Sequence, residues 1–185
     1  MFSRRDVVLG AVASAAFAPS AFANTPPKFE LPPELRPQWV RVTKTVEPGR
    51  LVVLTDQHFL YWVTEPGRAL RYGVGVGKAG LSFRGDATIE RKAKWPSWRP
   101  TVSMIERNPH YAKFADGMPG GPNNPLGSRA LYLYQGGRDT YFRIHGTTQP
   151  TSIGQSVSNG CIRMLNDHVA DLYERVPVGT RVTVV

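Results

Sequence analysis

From residue 42 onward, short β-forming segments alternate with turn formers, and this pattern restricts the fold more than any other feature of the chain. Runs rich in β-branched and aromatic residues stand at 51–57, 59–65, 69–77, 87–95, 130–135 and 140–146. The turn EPGR at 65–68 and the glycine pair at 136–137 join neighbouring runs as hairpin connections do. The 18 Gly and 16 Pro agree with many such turns. The sequence therefore predicts a mostly β fold.

One or two short helices are expected beside these strands. An apolar stripe with the spacing i, i+3, i+4, i+7 is formed by Val169, Leu172, Tyr173 and Val176. Asn166 is the expected N-cap of this helix, and Pro177 ends it before a last strand at 181–185. A shorter helix is expected near 101–107.

A long loop, GMPGGPNNPLGS at 117–128, separates the two groups of strands. A loop of this length inside a small domain usually forms a lid or a binding surface. Tyr111, Met118 and Asn124 are therefore candidates for lining a groove. Trp95 and Trp98 favour core or rim positions, with contact to a substrate as the alternative.

Glycines alternate at 73, 75 and 77, so one face of that segment lacks side chains and lets another backbone or a ligand approach closely. This pattern does not indicate a nucleotide-binding glycine loop, because no helical pattern follows it.

The first residues predict a cleavable export signal. Arg4 and Arg5 precede an apolar run at 7–18, and the small-x-small site Ala21-Phe22-Ala23 follows. The adjacent arginines favour the twin-arginine route. An uncleaved anchor is less favoured, since such a run spans only about 18 Å as a helix. We predict a signal at 1–23, an extended Pro-rich arm at 24–40 and one domain at 41–185.

The net charge is +9. For an exported protein, such a charge points to an anionic cell wall or membrane surface and argues against nucleic acid as the partner. A merely solvated basic surface accounts for the charge equally well.

Cys161 is the one cysteine of the chain. Most lone cysteines are inert core residues, but exported proteins normally meet an oxidising compartment in which cysteines are paired. An unpaired thiol in such a protein favours a reactive role. No metal site is predicted, because one cysteine and the scattered His58, His110 and His168 provide no metal-ligand spacing.

Cys161 lies in SNGCIRM at 158–164, sixteen residues after His145 in IHG. A thiol, with a pKa of about 8.5, needs a base or a positive field before it is a good nucleophile at neutral pH. Gly160 frees the backbone to direct N–H groups at an oxyanion. Arg163 and Asn166 are near enough in sequence to face the same pocket. By residue type alone, a pair of packing residues is the commoner interpretation.

The segment from Ile144 to Val182, IHGTTQPTSIGQSVSNGCIRMLNDHVADLYERVPVGTRV, closely resembles the signature of L,D-transpeptidases, the YkuD domain. That signature contains HGT, then IG, then S-x-GC-[IV]-R-[ML], then a helix with Asp. Upstream, GMPGGPNNPLGSRALYL resembles the family's substrate-loop segment, so the resemblance covers most of residues 50–185. It implies a β-sandwich-like catalytic domain with one or two short helices.

The resemblance implies that Cys161 is the acyl-enzyme nucleophile and His145 its general base, with the carbonyl of Gly146 orienting the imidazole. Many members carry His at the position of Asn159, and this chain departs from them. His145 is therefore the only base within the motif.

The resemblance also implies an oxyanion hole and a substrate site. The amides around Asn159, Gly160 and Cys161 are expected to bind the oxyanion, and Ser158 belongs to the same group. Arg163 is expected to hold a carboxylate of the donor peptide or the local turn.

The implied reaction has two steps and needs no cofactor, metal or nucleotide. Cys161 attacks the carbonyl of the third residue of a peptidoglycan stem tetrapeptide and expels the terminal D-alanine. The thioester then passes to an amine of another stem, an envelope protein or a D-amino acid. Water as acceptor would give an L,D-carboxypeptidase, and a non-catalytic wall-binding module is the alternative from another class. Carbapenem acylation, a monomeric state and a periplasmic or cell-envelope location are expected.

Overall fold

Eleven strands and two α-helices follow one another in the computed structural model, which describes residues 29–185. The strands are β1 (Gln38–Arg41), β2 (Leu51–Leu54), β3 (Phe59–Glu65), β4 (Arg68–Gly73), β5 (Val76–Gly77), β6 (Gly85–Lys94), β7 (Arg129–Gln135), β8 (Arg138–His145), β9 (Ser156–Ser158), β10 (Ile162–Arg163) and β11 (Arg181–Val184). The helices are α1 (Val102–Arg107) and α2 (Asn166–Arg175). Short 3₁₀ helices stand at Pro33–Leu35, Thr55–Gln57, Pro109–Phe114 and Pro150–Ser152. The predicted signal at 1–23 lies outside the described residues.

Nine of these strands form one sheet in the order β1-β4-β3-β2-β11-β6-β7-β8-β10. Its neighbours are antiparallel except β2 with β11 and β8 with β10, which are parallel. A second, two-stranded sheet pairs β5 with β9.

The large sheet curls back on itself around one core. Just past β4, Gly75 exchanges two backbone hydrogen bonds with Arg163 of β10, 2.9 and 2.7 Å long, so segments from opposite ends of the sheet meet. The enclosed cluster includes Leu70, Tyr72, Leu131, Ile144, Ile162 and Leu172. The prediction of a mostly β, sandwich-like domain with one or two short helices is confirmed.

The run at 69–77 is not one strand, because the chain leaves the large sheet after Gly73 and joins the small one at Val76. The alternating glycines permit this crossing. A Cβ on Gly77 would lie 2.8 Å from the Cα of Gly160, and one on Gly73 would lie 2.6 Å from the carbonyl oxygen of Leu35. Both distances are too short for any side chain.

Helix α2 lies on the core through the predicted stripe, of which Val169, Leu172 and Val176 are fully buried. The assignment of Asn166 as N-cap was wrong. The cap position is Leu165, and it has no side-chain hydrogen bond. Asn166 is the first helical residue, and its amide is instead bonded to two distant backbone groups described below.

The described part of the predicted arm, residues 29–40, contacts the domain. Leu31 and Leu35 are buried in a small cluster with Ile153, and β1 pairs with β4. The domain limits at 23 and 40 stay predictions. No helix between residues 29 and 185 has the length and apolar character needed to cross a membrane.

The substitution Leu172→Ala should lower the free energy of unfolding by about 2–5 kcal/mol, because it removes a fully buried side chain and leaves a cavity. Urea denaturation followed by circular dichroism measures the loss. Val178→Ala is the control, since Val178 is 57% exposed and the change should stay within about 0.5 kcal/mol. Equal losses in the two variants would contradict the burial of this helix face.

Candidate active site

His145 is the last residue of β8 and is only 4% exposed. Its Nδ1 is hydrogen-bonded to the carbonyl oxygen of Gly146. A carbonyl only accepts, so Nδ1 carries the proton and Nε2 keeps its lone pair. Burial lowers the pKa of His145 to about 4, opposed by the carbonyls of Gly146 and Leu126 and reinforced by the positive charges of Arg163 and Arg143. The imidazole is therefore neutral at neutral pH.

Parallel pairing of β10 with β8 brings the cysteine motif to His145. Ile162 lies opposite Ile144 and Arg163 opposite His145, so the same register places Cys161 beside Arg143. Because side chains alternate along a strand, Cys161 and His145 point to the same face. The fifteen residues between them, 146–160, include the 3₁₀ helix Pro150–Ser152 and strand β9 and return the chain to the large sheet.

The Cys161 thiol is half-buried and donates a hydrogen bond to the carbonyl oxygen of Tyr141, with an S···O distance of 3.8 Å. No hydrogen bond joins it to His145 in the described structure. Burial raises the pKa of the Cys161 thiol, and Asp139 adds to this effect. The backbone N–H and the charge of Arg143, with the charge of Arg163, act against it. The resting site thus holds a neutral thiol and a neutral imidazole.

The turn before the thiol is held by Ser158, which is 2% exposed. Its hydroxyl donates to the carbonyl of Cys161 at 2.7 Å and accepts from the amide of Gly160 at 3.0 Å. Ser158 therefore braces the turn, and the Gly160 amide is already bonded. Within residues 29–185, the amides of Asn159 and Cys161 donate to no acceptor.

Only glycine fits at position 160. Its φ is +125°, a region that favours glycine. A Cβ there would lie 2.5 Å from the ring of Phe142 and 2.6 Å from the carbonyl oxygen of Leu81.

Arg163 faces the site from β10. Its Nη1 donates to Oε1 of Gln149 at 2.9 Å, and no carboxylate of the described residues lies within ion-pair distance of it. Burial lowers its pKa, while Tyr111 and Cys161 have the opposite effect. A half-buried guanidinium without a counter-ion is suited to bind an anion.

A cavity of about 640 Å³ opens over these residues. His145, Ser158, Asn159, Cys161 and Arg163 all line it, whereas Gly146 and Gly160 do not. Four arginines line the cavity, Arg99, Arg107, Arg143 and Arg163, and its lining contains no Asp or Glu. The charge of the wall therefore favours anionic ligands.

The loop at 117–128 forms one side of this cavity. Tyr111 and Met118 line it as predicted, and so does Trp98, which packs edge-on against Tyr111 at 5.7 Å between ring centroids. The prediction for Asn124 was wrong, because Asn124 is 1% exposed and bonds inside the loop to Met118, Pro119 and Leu126. The side-chain amide of Asn124 forms hydrogen bonds with backbone groups of the loop, so it points inward. The neighbouring Asn123 lines the cavity instead.

Asn166 joins the loop to the end of β8. Its Oδ1 accepts from the amide of Ser128 at 3.0 Å, and its Nδ2 donates to the carbonyl of Thr147 at 3.2 Å. Asn166 does not line the cavity, so its expected place in the pocket was wrong. Nothing in the local sequence signals this role, because both partners are at least 19 residues away.

The structure also brings Tyr141, Asp139 and Arg143 to the thiol, and sequence reasoning missed all three. Among residues 29–185, no three His, Cys, Asp or Glu side chains are grouped so as to hold a metal ion.

The fold agrees with comparisons to known proteins. The model of the YkuD family, the L,D-transpeptidase catalytic domain, matches residues 48–184. The chain belongs to this family.

Curated relatives match most of this chain but only part of their own length. A probable L,D-transpeptidase of Escherichia coli K12, ErfK/SrfK, is 35% identical over 155 residues, which are 80% of this chain and 47% of that protein. The chain spans about half the length of the first curated relatives it matches.

Two solved structures share the fold. One from Brucella melitensis, described as a probable carnitine operon oxidoreductase, is 56% identical with a TM-score of 0.58, over 81% of this chain and 93% of that one. The L,D-transpeptidase of Enterococcus faecium, solved as a cysteine-to-serine mutant, is 16% identical with a TM-score of 0.56, over 76% of this chain and 50% of that one. The second likeness is one of fold alone.

Alkylation of Cys161 by iodoacetamide should accelerate with pH until the pH exceeds the ordinary cysteine pKa of about 8.5. The thiolate is the reactive form, and burial raises the pKa of Cys161, so deprotonation requires a higher pH. His145, with its pKa lowered to about 4, supplies no imidazolium near neutrality. Mass spectrometry of the single cysteine measures the rate. A plateau of high reactivity between pH 6 and 8 would instead indicate a preformed thiolate–imidazolium pair and would contradict the neutral resting site.

Proposed function

We propose that this protein is an exported peptidoglycan L,D-transpeptidase in which Cys161 forms a thioester with a donor stem tetrapeptide. The observation that carries the proposal is the position of His145, at the end of β8, and Cys161, directly before β10, at one cavity, with Nδ1 of His145 bonded to the Gly146 carbonyl. A neutral imidazole with Nε2 unprotonated is the form that accepts a proton from a thiol.

In the first step, the proton of Cys161 passes to Nε2 of His145 as the sulfur attacks the carbonyl carbon of the third stem residue. The resulting oxyanion needs nearby donors. Because the Gly160 amide is bonded to Ser158, the amides of Asn159 and Cys161 are the candidates for this hole. His145 then returns the proton to the leaving nitrogen, D-alanine departs, and the acyl group remains on sulfur as a thioester.

In the second step, an amine attacks the thioester and His145 takes its proton, which returns to the sulfur as the thiol leaves. The acceptor is a neighbouring stem, a lysine of an envelope protein or a free D-amino acid. Water in the same position would make the enzyme an L,D-carboxypeptidase, which remains the alternative with the same two side chains.

The arginine-lined wall supports a donor that carries carboxylates. Stem tetrapeptides are acidic peptides, and their carboxylates match a cavity with four arginines and no acidic lining residue. We assign the carboxylate nearest the thiol to Arg163, which has no counter-ion among the described residues. A positive wall also fits an anionic cell wall as the partner of a monomer in the cell envelope.

The residues of the site favour acyl transfer over oxidoreduction and over a non-catalytic wall-binding role. The Brucella description names an oxidoreductase, but dithiol exchange within a chain needs two cysteines and this chain has one. Gly73, Gly75 and Gly77 serve close backbone crossings and open no helix, unlike a dinucleotide loop. A mere wall-binding module has no use for a thiol beside a buried neutral imidazole.

Incubation with imipenem should add the mass of one carbapenem to the protein, because the strained lactam carbonyl acylates the Cys161 sulfur as the donor carbonyl does. Cys161→Ala should abolish the adduct. His145→Gln should slow its formation about 10²- to 10⁴-fold, since the general base is lost.

His110→Gln is the matched control for the imipenem experiment. His110 is exposed and does not line the cavity, so this variant should acylate at the wild-type rate. Intact-mass spectrometry over time measures all four proteins. An adduct that persists in Cys161→Ala would exclude Cys161 as the nucleophile.

With disaccharide-tetrapeptides as the only substrate, the protein should release D-alanine and form dimers linked from the third residue of one stem to the third residue of the next. Liquid chromatography with tandem mass spectrometry identifies the linkage. Monomeric disaccharide-tripeptide as the sole product would replace the transpeptidase assignment by the carboxypeptidase. The variant Cys161→Ser should form neither product at a comparable rate, because a serine hydroxyl is far harder to deprotonate than a thiol.

A further inference from the structure

Strand β8 bulges directly beside the nucleophile. Its register against β7 shifts between Tyr132, which lies opposite Arg143, and Tyr134, which lies opposite Asp139. Residues 140–142 of β8 therefore face a single residue of β7. At the centre of the bulge Tyr141 has a φ of +62°, a left-handed conformation that is uncommon for a large side chain.

Asp139 and Arg143 hold this conformation. The Oδ1 atom of Asp139 accepts the backbone N–H of Tyr141 at 2.8 Å. The guanidinium of Arg143 binds the same carboxylate through two bonds, Nη1 to Oδ1 at 2.6 Å and Nη2 to Oδ2 at 2.8 Å. Both side chains are mostly shielded, with 13% of Arg143 and 31% of Asp139 exposed. A bidentate, shielded pair is stronger and more directional than a surface ion pair.

The bulge touches the cysteine turn at two points. The Tyr141 carbonyl accepts the thiol of Cys161 at 3.8 Å. The Phe142 ring packs against Phe83 at 5.3 Å between centroids and closes the space beside Gly160. A strained backbone unit held by a shielded ion pair, and in contact with a nucleophile, is the kind of arrangement found at functional sites.

Four ionisable groups surround the thiol. Arg143 and Arg163 are positive, Asp139 is negative, and His145 is neutral at neutral pH. Arg143 also directs its backbone N–H at the sulfur and so favours the thiolate, whereas the charge of Asp139 disfavours it.

We propose that the Asp139–Arg143 pair positions Cys161: it fixes the Tyr141 bulge, whose carbonyl holds the resting thiol proton, and it presents the charge of Arg143 to the thiolate. The pair deepens the proposed function, since it rests on Cys161 being the nucleophile. When substrate binds, the thiol leaves the Tyr141 carbonyl and its proton passes to Nε2 of His145. Asp139 and Arg143 are positioning residues, and neither exchanges a proton.

The test compares Asp139→Asn and Arg143→Gln by the pH profile of iodoacetamide alkylation, which does not depend on the peptide substrate. Asp139→Asn should lower the apparent pKa of Cys161 and Arg143→Gln should raise it. At a pH below the pKa of Cys161 in the wild type and in the variants, a shift of half a unit to one unit changes the alkylation rate about three- to tenfold. Asp139→Asn should therefore react faster than the wild type by this factor, and Arg143→Gln more slowly. Glu65→Gln is the control, because Glu65 forms an exposed pair with Arg68 at the β3–β4 turn and should leave the profile unchanged.

Imipenem acylation supplies a second readout. Asp139→Ala, which also removes the acceptor for the Tyr141 amide, should acylate at least about tenfold more slowly even though its thiol is easier to deprotonate. Arg143→Lys keeps the charge but loses the two-bond geometry, so its alkylation profile should stay near wild type while its acylation slows. If Arg143→Gln does not fold, as judged by its thermal melt, the imipenem acylation rate of Arg143→Lys tests the pair instead, and a wild-type rate would contradict the positioning role.

The proposal is wrong if Asp139→Asn and Arg143→Gln shift the alkylation pKa in the same direction, or if Asp139→Ala acylates as fast as wild type. These outcomes are separate from failure of the proposed function. For example, the two variants could shift the pKa in opposite directions while the wild-type protein forms no imipenem adduct. That result would support the electrostatic role of the pair and would reject Cys161 as an acyl-enzyme nucleophile.

Discussion

The parallel pairing of β10 with β8 is the interaction on which the arrangement of the site depends. β10 is only two residues long, yet it sets Arg163 opposite His145 and thereby places Cys161 on the face of the imidazole. So short a strand is weak by itself. It is held from its other side by the two hydrogen bonds between Arg163 and Gly75, which also close the sheet around the core. The same two hydrogen bonds therefore contribute both to closing the sheet and to assembling the site.

Close backbone packing around the cysteine turn leaves little freedom for Cys161. Gly160 is enclosed by Phe142 and Leu81, and Gly77 passes beside it. Ser158 bonds the turn internally, while Asn166 ties the neighbouring loop to the end of β8. Polar groups that are buried in this way must find partners, because an unpaired one is costly to desolvate. The positions of the thiol and the imidazole therefore depend on hydrogen bonds and packing contacts from several parts of the domain.

Burial sets the resting protonation state of the site. It lowers the pKa of His145 and raises that of Cys161, so both groups are neutral before substrate arrives. A protonated thiol is a poorer target for oxidation than a thiolate, which suits a lone cysteine in the exported protein proposed above. The arginines of the cavity favour an anionic ligand, and Arg143 and Arg163 favour the thiolate form of Cys161. In the proposed mechanism, proton transfer from Cys161 to His145 is therefore tied to occupation of the site.

The sequence by itself determined the fold class, the core-facing stripe of α2 and the family, because these depend on local periodicity and on a contiguous motif. That His145 and Cys161 lie at one cavity was predictable for the same reason. The tertiary structure alone decided the roles of Asn166 and Asn124. Asn166 does not cap the helix, because its side chain forms hydrogen bonds with backbone groups 19 and 38 residues away. The side chain of Asn124 points into the loop and not into the cavity. The tertiary structure likewise revealed Asp139, Arg143 and Tyr141 at the thiol. Their contact with Cys161 spans about 20 residues and exists only because a bulge of β8 meets the turn before β10, a long-range pairing that no local pattern encodes.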